Sequence, residues 1–449
     1  MSRWLPINRL RSAWLLFFLL ILKPAPTALA KETHHEPFYL GVSVEADPEA
    51  WGDLPKGGRF SIEGICQDLA AINMNAVWVT GFDGERANTA QMGRWLESAR
   101  AHTMKVVLQG SAGDYAIKKG VSVIEQQTHL RQFVVPIWKG IAKRFRSHFA
   151  LLAYVPVESI SDAAEEGAEP TLRALDELGS VLGGIDVLNP VITNHDAKNL
   201  AVAQAEARIR RRSIKILAAH CFPFMRPHPW SEASWATQEA ATQGMLDITV
   251  KQVRIASSVG VPMWLTGQAF GSVLTKKWVG QWEDAELPSK EQMHLQVWTA
   301  IIAGAKGFFA SRYQSSREPS DPEQARVDDW EVATGLRTLE GEPTTAYEGL
   351  KEVAAVLSRH LSLLGELKTD GELVVLKPRI IGRRFKSRNG KQYAVVLNQN
   401  LESSARLPQK TALGSFSAQE GLRIPPGHGV LFQANDGGEW VPVTPCEIL

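Results

Sequence analysis

Two short stretches hold the residues best suited to chemistry. In "LLAYVPVESISD", Glu158 follows directly on an apolar run. Burial at an apolar strand mouth disfavours a charged carboxylate, raises its pKa and suits it to protonate a leaving oxygen. A helix cap or a salt-bridged rim residue fits the same position. In "VPMWLTGQAFG", a comparable run ends in Gln268. An amide donates and accepts hydrogen bonds, but it neither attacks carbon nor carries a transferable proton. Glu158 is therefore the expected general acid, and Gln268 an expected hydrogen-bonding contact.

Other apolar runs end in polar groups too. Glu45 and Asp47 follow "FYLGVSV", and Asp83 and Glu85 follow "AVWVT". "KVVLQ" ends in Gln109, and "TNHD" supplies Asn194, His195 and Asp196. "IKILAAH" ends in His220, while "GFFASRY" ends in Arg312 and Tyr313. Acids and hydrogen-bonding groups at strand ends suit a carbohydrate site. Aromatic loops point the same way. "CFPFMRPHPWSEASW" holds Phe222, Phe224, Trp230 and Trp235, and "KKWVGQWED" holds Trp278 and Trp282. Flat rings stack on the C–H faces of sugars, and they also pack long loops onto a scaffold. Trp78 and Trp95 read as core, whereas Trp264 lines either the core or the site. The expected substrate-binding set is Gln268, His220, Asp196, Glu45, Trp264, Trp230, Trp282 and Tyr313.

Other chemistries lack their residues. No G-x-S-x-G elbow occurs, "QGSAGD" having the wrong spacing, and there is no phosphate-binding G-x-x-x-x-G-K-[ST] loop. His220 and His228 flank prolines without metal-ligand spacing, so neither metal nor cofactor is expected. Cys66, Cys221 and Cys446 allow at most one disulfide, and Cys221 reads as a small core residue. The chain has 49 basic and 48 acidic side chains. Residues 1–30 hold Arg3, Arg9, Arg11 and Lys23 and no acid. The remainder has 45 basic against 48 acidic groups, a net charge of −3. That balance gives no reason to expect nucleic acid as a partner. "ARIRRRSIK" is locally basic and reads as a solvated helix end before a strand.

The elements that must position these residues alternate. Eight short runs rich in Val, Ile, Leu and Trp start at Phe38, Ala76, Lys105, Leu151, Pro190, Ile214, Val261 and Gly307. Longer segments of helical spacing separate them. Ser61 caps one, Met92, Trp95, Leu96 and Ala99 share a face of another, and "SKEQMHLQVWTAIIAGAKG" opens on Ser289 and stops at Gly. The pattern predicts an α/β fold, a (β/α)₈ TIM barrel over 31–364; an open doubly wound sheet fits less well without a Gly-rich phosphate turn. Past Leu364 come short alternating strands with an Asn389-Gly390 hairpin signal, which predict a C-terminal antiparallel β-sandwich over 365–449. Ahead of the barrel, arginines, an apolar block from Ala13 to Leu22 and Ala28-Leu29-Ala30 predict a signal peptide at 1–30. The block is too short to span a bilayer. A secreted or periplasmic protein with no integral membrane span after cleavage is the expectation.

These residues resemble the glycoside hydrolase barrels of the clan with cellulases and family-42-type β-galactosidases. In that clan an acid/base Glu follows strand four, often as Asn-Glu-Pro. Here the triplet is Val157-Glu158-Ser159. A strand-six Asp-x-Tyr-Pro pattern is matched by His220-Cys221-Phe222-Pro223, keeping the Pro and an aromatic. "EQMHLQVWTAIIAGAKGFFASRY" is similar to the clan's last helix and strand, with its Gly-Ala-x-Gly turn. The resemblance implies hydrolysis of O-glycosidic bonds in a polysaccharide or oligosaccharide, with Glu158 as general acid. The clan's nucleophile is a Glu after strand seven, where this chain has Thr266, Gly267 and Gln268. That departure supports a second expectation, a catalytically degenerate carbohydrate-binding barrel. A barrel hydrolase or lyase for a non-sugar substrate is a third.

Overall fold

Eight parallel strands form the centre of the computed structural model: β1 (Tyr39–Glu45), β2 (Ala76–Phe82), β3 (Lys105–Gly110), β4 (Leu151–Val155), β5 (Asn194–Asp196), β6 (Leu217–Cys221), β7 (Met263–Gln268) and β8 (Gly307–Ser311). The structure describes residues 36–47, 60–82, 89–110, 122–156, 168–224, 237–273, 286–319, 330–338, 340–417, 422–445 and 447–448. The expected signal peptide at 1–30 lies outside them, as do Glu158, Trp230 and Trp282.

The strand order is β4-β3-β2-β1-β8-β7-β6-β5. A parallel bridge between Tyr154 and Val191 joins the two ends, and the Ile192 N–H donates to the Tyr154 carbonyl at 2.8 Å. The sheet therefore closes into a (β/α)₈ barrel. The fifth run is the exception to the sequence spacing. Pro190 has no N–H to donate, and the β5 ladder forms further on, at Asn194–Asp196.

The helices between the strands are α1 (Ile62–Ala71), α2 (Thr89–Ala101), α3 (Val123–His129), α4 (Val135–Phe145), α5 (Ala168–Gly183), α6 (Leu200–Ile209), α7 (Gln238–Ser258) and α8 (Lys290–Ala303). Their ends follow local chemistry. Ser61 Oγ accepts from the Gly64 N–H at 3.0 Å, satisfying one of the orphan donors of α1. α2 buries Met92, Trp95, Leu96 and Ala99, the face its spacing predicts. Ser289 and Gln292 form a reciprocal capping box on α8, which Gly304 ends at φ 98°. α8 is buried on every side from Gln292 to Ala303, as a helix between two layers must be.

The barrel lumen is filled. Tyr39, Trp78, Trp264 and Phe309 meet in it, with Trp78 edge-on to Phe309 at 5.2 Å and Tyr39 edge-on to Trp264 at 5.4 Å. Gly307 makes room, since a Cβ there would lie 2.9 Å from Trp264 Cδ1. Trp264 is 1% exposed. The expectation that it contacts substrate is corrected: the indole is lumen filling and has no surface to offer.

After α8 and β8 the chain runs through a further helix (Thr345–Leu357) into antiparallel sheets. Strands Ile380–Lys386 and Gln392–Asn398 form the hairpin turned by Asn389 and Gly390. Ile381, Phe385, Tyr393, Val395 and Leu397 on one face join the same apolar core as the barrel helices. Val396, Leu407, Leu413, Ile424 and Trp440 build a second core on the other face. Two closures lock this region to α8. Arg383 Nη1 donates to the Ala303 carbonyl at 2.8 Å, satisfying an orphan acceptor at the helix end. Gly429 lies on Trp298, where a Cβ would come within 2.3 Å of Cδ2.

The basic run lies at a helix end before a strand, as expected, with one exception. Arg208, Arg211 and Arg212 are exposed, but Arg210 is fully buried. It pairs with Glu206 at 2.6 Å and donates to the Val191 carbonyl at 2.7 Å. A guanidinium enters the interior only with such partners.

Candidate functional site

Side chains of a strand alternate between faces. Val42, Val44, Val77, Val79, Leu217 and Leu265 belong to the core under the helices. Tyr39, Trp78, Ala218, Trp264 and Phe309 belong to the lumen. Continuing the lumen parity towards the strand ends leads to Glu45 on β1, Thr80 on β2, Gln109 on β3, Asp196 on β5, His220 on β6 and Thr266 on β7. The apolar plug thus gives way to a polar layer at the C-terminal mouth, where barrel enzymes keep their reactive groups. Trp78 Nε1 donates to Gln109 Oε1 at 2.5 Å, which joins the two layers.

Asp196, His220 and Thr266 lie in register across β5, β6 and β7. His220 is half-buried and stacks on Phe222, with centroids 5.2 Å apart. Burial pulls its imidazole down to about 4; Asp196 opposes the shift, and His195 and Lys198 add to it. At neutral pH the ring is uncharged, so it offers one donor and one acceptor. Asp196 Oδ1 accepts from the Lys198 N–H at 2.9 Å. Glu45 is half-buried at the end of β1, with Thr80 Oγ1 at 3.5 Å from its Oε2. Sequence-predicted His220, Asp196 and Glu45 therefore do share the mouth, with Glu45 on the strand opposite β5 in the ring.

Gln268 does something else. It is fully buried. Its Oε1 accepts from the Phe224 N–H at 2.9 Å, and its Nε2 donates to the carbonyls of Phe270 at 3.1 Å and Glu286 at 3.0 Å. The backbone of Gln268 is held in turn by Gln296, which accepts from its N–H at 2.7 Å and donates to its carbonyl at 2.9 Å. One amide thus braces the exits of β6 and β7 and the approach to α8. With these bonds made, the expected sugar contact is replaced by a brace. Its partner Gln296 was missed from sequence; the available signal was a glutamine between Leu295 and Val297 in a helix buried on every side.

Tyr313 is also withdrawn from the mouth. Its hydroxyl donates to Asp68 on α1 at 2.6 Å, and Arg337 and Tyr347 bind the same carboxylate. This clamp ties the chain after β8 to α1, so the side chain is buried rather than ligand-facing. His195 has the opposite parity to Asp196 and points away from the lumen. Its Nε2 lies 3.2 Å from Gln252 Oε1 on α7, and its Nδ1 lies 3.6 Å from Glu206. Among the described residues no group of three or more His, Cys, Asp or Glu side chains gathers to hold a metal.

No family profile matches the sequence, and no curated protein matches it. Solved structures match the fold. A β-galactosidase from the psychrophilic Marinomonas ef1 is 14% identical over 73% of this chain and 62% of its own, with a TM-score of 0.50. An endo-β-1,4-mannanase from Thermotoga petrophila is 10% identical over 92% of this chain and 98% of its own, at 0.48. A β-glucuronidase from Ruminococcus gnavus is 13% identical over 71% of this chain, at 0.47. The chain spans 50% of that enzyme's length. The shared feature is the α/β barrel.

Proposed function

We propose that this chain is an exported glycosidase that hydrolyses O-glycosidic bonds of a polysaccharide or oligosaccharide at its barrel mouth. The observation that carries the reading is the polar layer of Glu45, Asp196 and His220 above an apolar lumen, in a fold shared with a β-galactosidase. Glu158 follows the end of β4 by three residues and serves as the general acid, protonating the glycosidic oxygen. The water needs a second carboxylate as base. Glu45 fits that role because β1 lies three strands from β4 in the ring, whereas Asp196 is on the neighbouring strand. Two carboxyl groups about 6.5 to 9.5 Å apart invert the anomeric centre, and about 5 to 5.5 Å retains it. With Gln268 in place of a β7 carboxylate, inversion is the expected course. Neutral His220 and Asp196 bind sugar hydroxyls, and Trp230 and Trp282 hold the glycan chain. The arginines and apolar block of residues 1–30 support export.

A second reading, a carbohydrate-binding barrel without catalysis, is favoured by one observation: Gln268 is committed to bracing. Release of reducing ends from a glycan panel separates the two. Glycosidase action requires product from the wild type and none from Glu158→Gln with unchanged folding. Hydrolysis that survives Glu158→Gln removes that residue from the mechanism. Glycan binding without product from the wild type establishes the second reading.

A further inference from the structure

The end of the barrel opposite the mouth has a different character. Three neighbouring loops close it beneath β4, β5 and β6: residues 146–150, 184–193 and 210–216. They are knit together. Arg146 Nη1 reaches the Ile185 carbonyl at 3.5 Å, Arg210 donates to the Val191 carbonyl, and Ser213 Oγ donates to Asp176 of α5 at 2.5 Å.

The first two carry exposed apolar side chains. Phe149 is 66% exposed, Val187 82% and Leu188 78%. Large apolar side chains adjacent in sequence at a loop tip, as Val187 and Leu188 are, gain nothing from the fold they sit on. Cations share these loops. Arg146, Arg211, Arg212 and Lys215 are exposed on the same loops, and Lys105 Nζ sits 3.8 Å over the Phe149 ring. No exposed carboxylate shares these loops. Asp186, their one acid, is buried and accepts from Tyr154, Leu188 and Asn189. Nearby carboxylates are engaged, Asp176 by Ser213 and Glu97 by Arg100 and His148.

We propose that this end of the barrel docks on an anionic lipid surface, with Phe149, Val187 and Leu188 entering the headgroup region and Arg146, Arg211, Arg212 and Lys215 meeting lipid phosphates. Exposed apolar side chains and cations on the same loops satisfy both requirements of interfacial binding, buried apolar area and attraction to anionic headgroups. A soluble polyanion would use the cations and leave the apolar tips in water. Docked this way, the protein turns its mouth away from the surface, towards solvent. The proposal does not depend on what the mouth does.

The test is co-sedimentation of the full chain with vesicles of phosphatidylcholine alone or with phosphatidylglycerol. Binding is expected to the anionic vesicles and to weaken with salt. Each basic residue near the surface contributes roughly fivefold to partitioning, so Arg211→Glu/Arg212→Glu is expected to weaken it by at least about 25-fold. Val187→Asp/Leu188→Asp is expected to abolish most of the remainder. All four positions are exposed, so unchanged thermal melting of both variants checks the fold. An environment-sensitive fluorophore on Val187→Cys, referenced to the unsubstituted chain carried through the same labelling, is expected to shift to the blue with anionic vesicles. Equal partitioning of wild type and both variants, an unmoved fluorophore, or equal binding to uncharged vesicles overturns the proposal. So does binding to heparin that the aspartate pair leaves unchanged, which would identify a soluble polyanion as the partner.

Discussion

Gln268→Glu would place a carboxylate at the end of β7, and the surroundings of Gln268 predict that it damages the protein. The wild-type amide uses Nε2 to donate to two carbonyls and Oε1 to accept one N–H, all in a fully buried site. A glutamate keeps the acceptor and loses the donors. Ionised, it would face the Phe270 and Glu286 carbonyls with nothing to neutralise it, so its pKa rises. Buried glutamates reach about 8, against about 4.3 in the unfolded chain. Between those values the folded state holds a proton that the unfolded state has lost, so stability falls as pH rises. At pH 5 the protonated acid still donates once, and the cost is about 2 kcal/mol, one net hydrogen bond plus the start of the titration. At pH 8 it reaches about 5.5 kcal/mol, the same hydrogen bond plus a titration in which each pKa unit is worth about 1.4 kcal/mol. Urea denaturation at both pH values reads the difference. Gln268→Met loses all three bonds and adds no titrating group, so its cost is expected to be the same at both pH values. A Gln268→Glu protein as stable as wild type at pH 8, or one with more hydrolytic activity, would refute the reasoning.

Arg210→Met leaves Glu206 charged and buried without its cation, and is expected to cost about 3 to 5 kcal/mol in urea denaturation. Adding Glu206→Leu should recover most of that loss; if the double variant is no better than the single, the ion pair is not the source. Burial at His220 predicts a neutral ring from pH 5 upward, because its folded pKa of about 4 lies below the unfolded value near 6.5. Its contribution to stability is complete above about 6.5 and is lost as pH falls towards 4. An NMR titration of the His220 ring with a midpoint near 6.5 would contradict the burial argument.

Much of the architecture was legible because it rests on short-range patterns. Short apolar runs between segments of helical spacing located the barrel strands, Ser61 and Ser289 announced their helices, and Asn389-Gly390 its hairpin. The hydrophobic demand on each element is nearly independent of its neighbours, so the barrel could be read from the chain. The mouth was legible in part, because alternation fixes the parity of Glu45, Asp196 and His220 once a strand is placed. What a buried polar group bonds to is another matter. Gln268 reaches Phe224, Phe270 and Glu286, Tyr313 reaches Asp68, and Arg210 is folded in against Glu206 within a run that looked solvated. Trp264 could have lined the site or the lumen, and only packing against Tyr39, Trp78 and Phe309 assigned it. Sequence by itself determined which groups lay at the strand ends; tertiary structure decided which of them are taken up by bonds within the fold. The reason is that a hydrogen bond is satisfied by whatever the fold brings within 3 Å, across separations in the chain that no local pattern records.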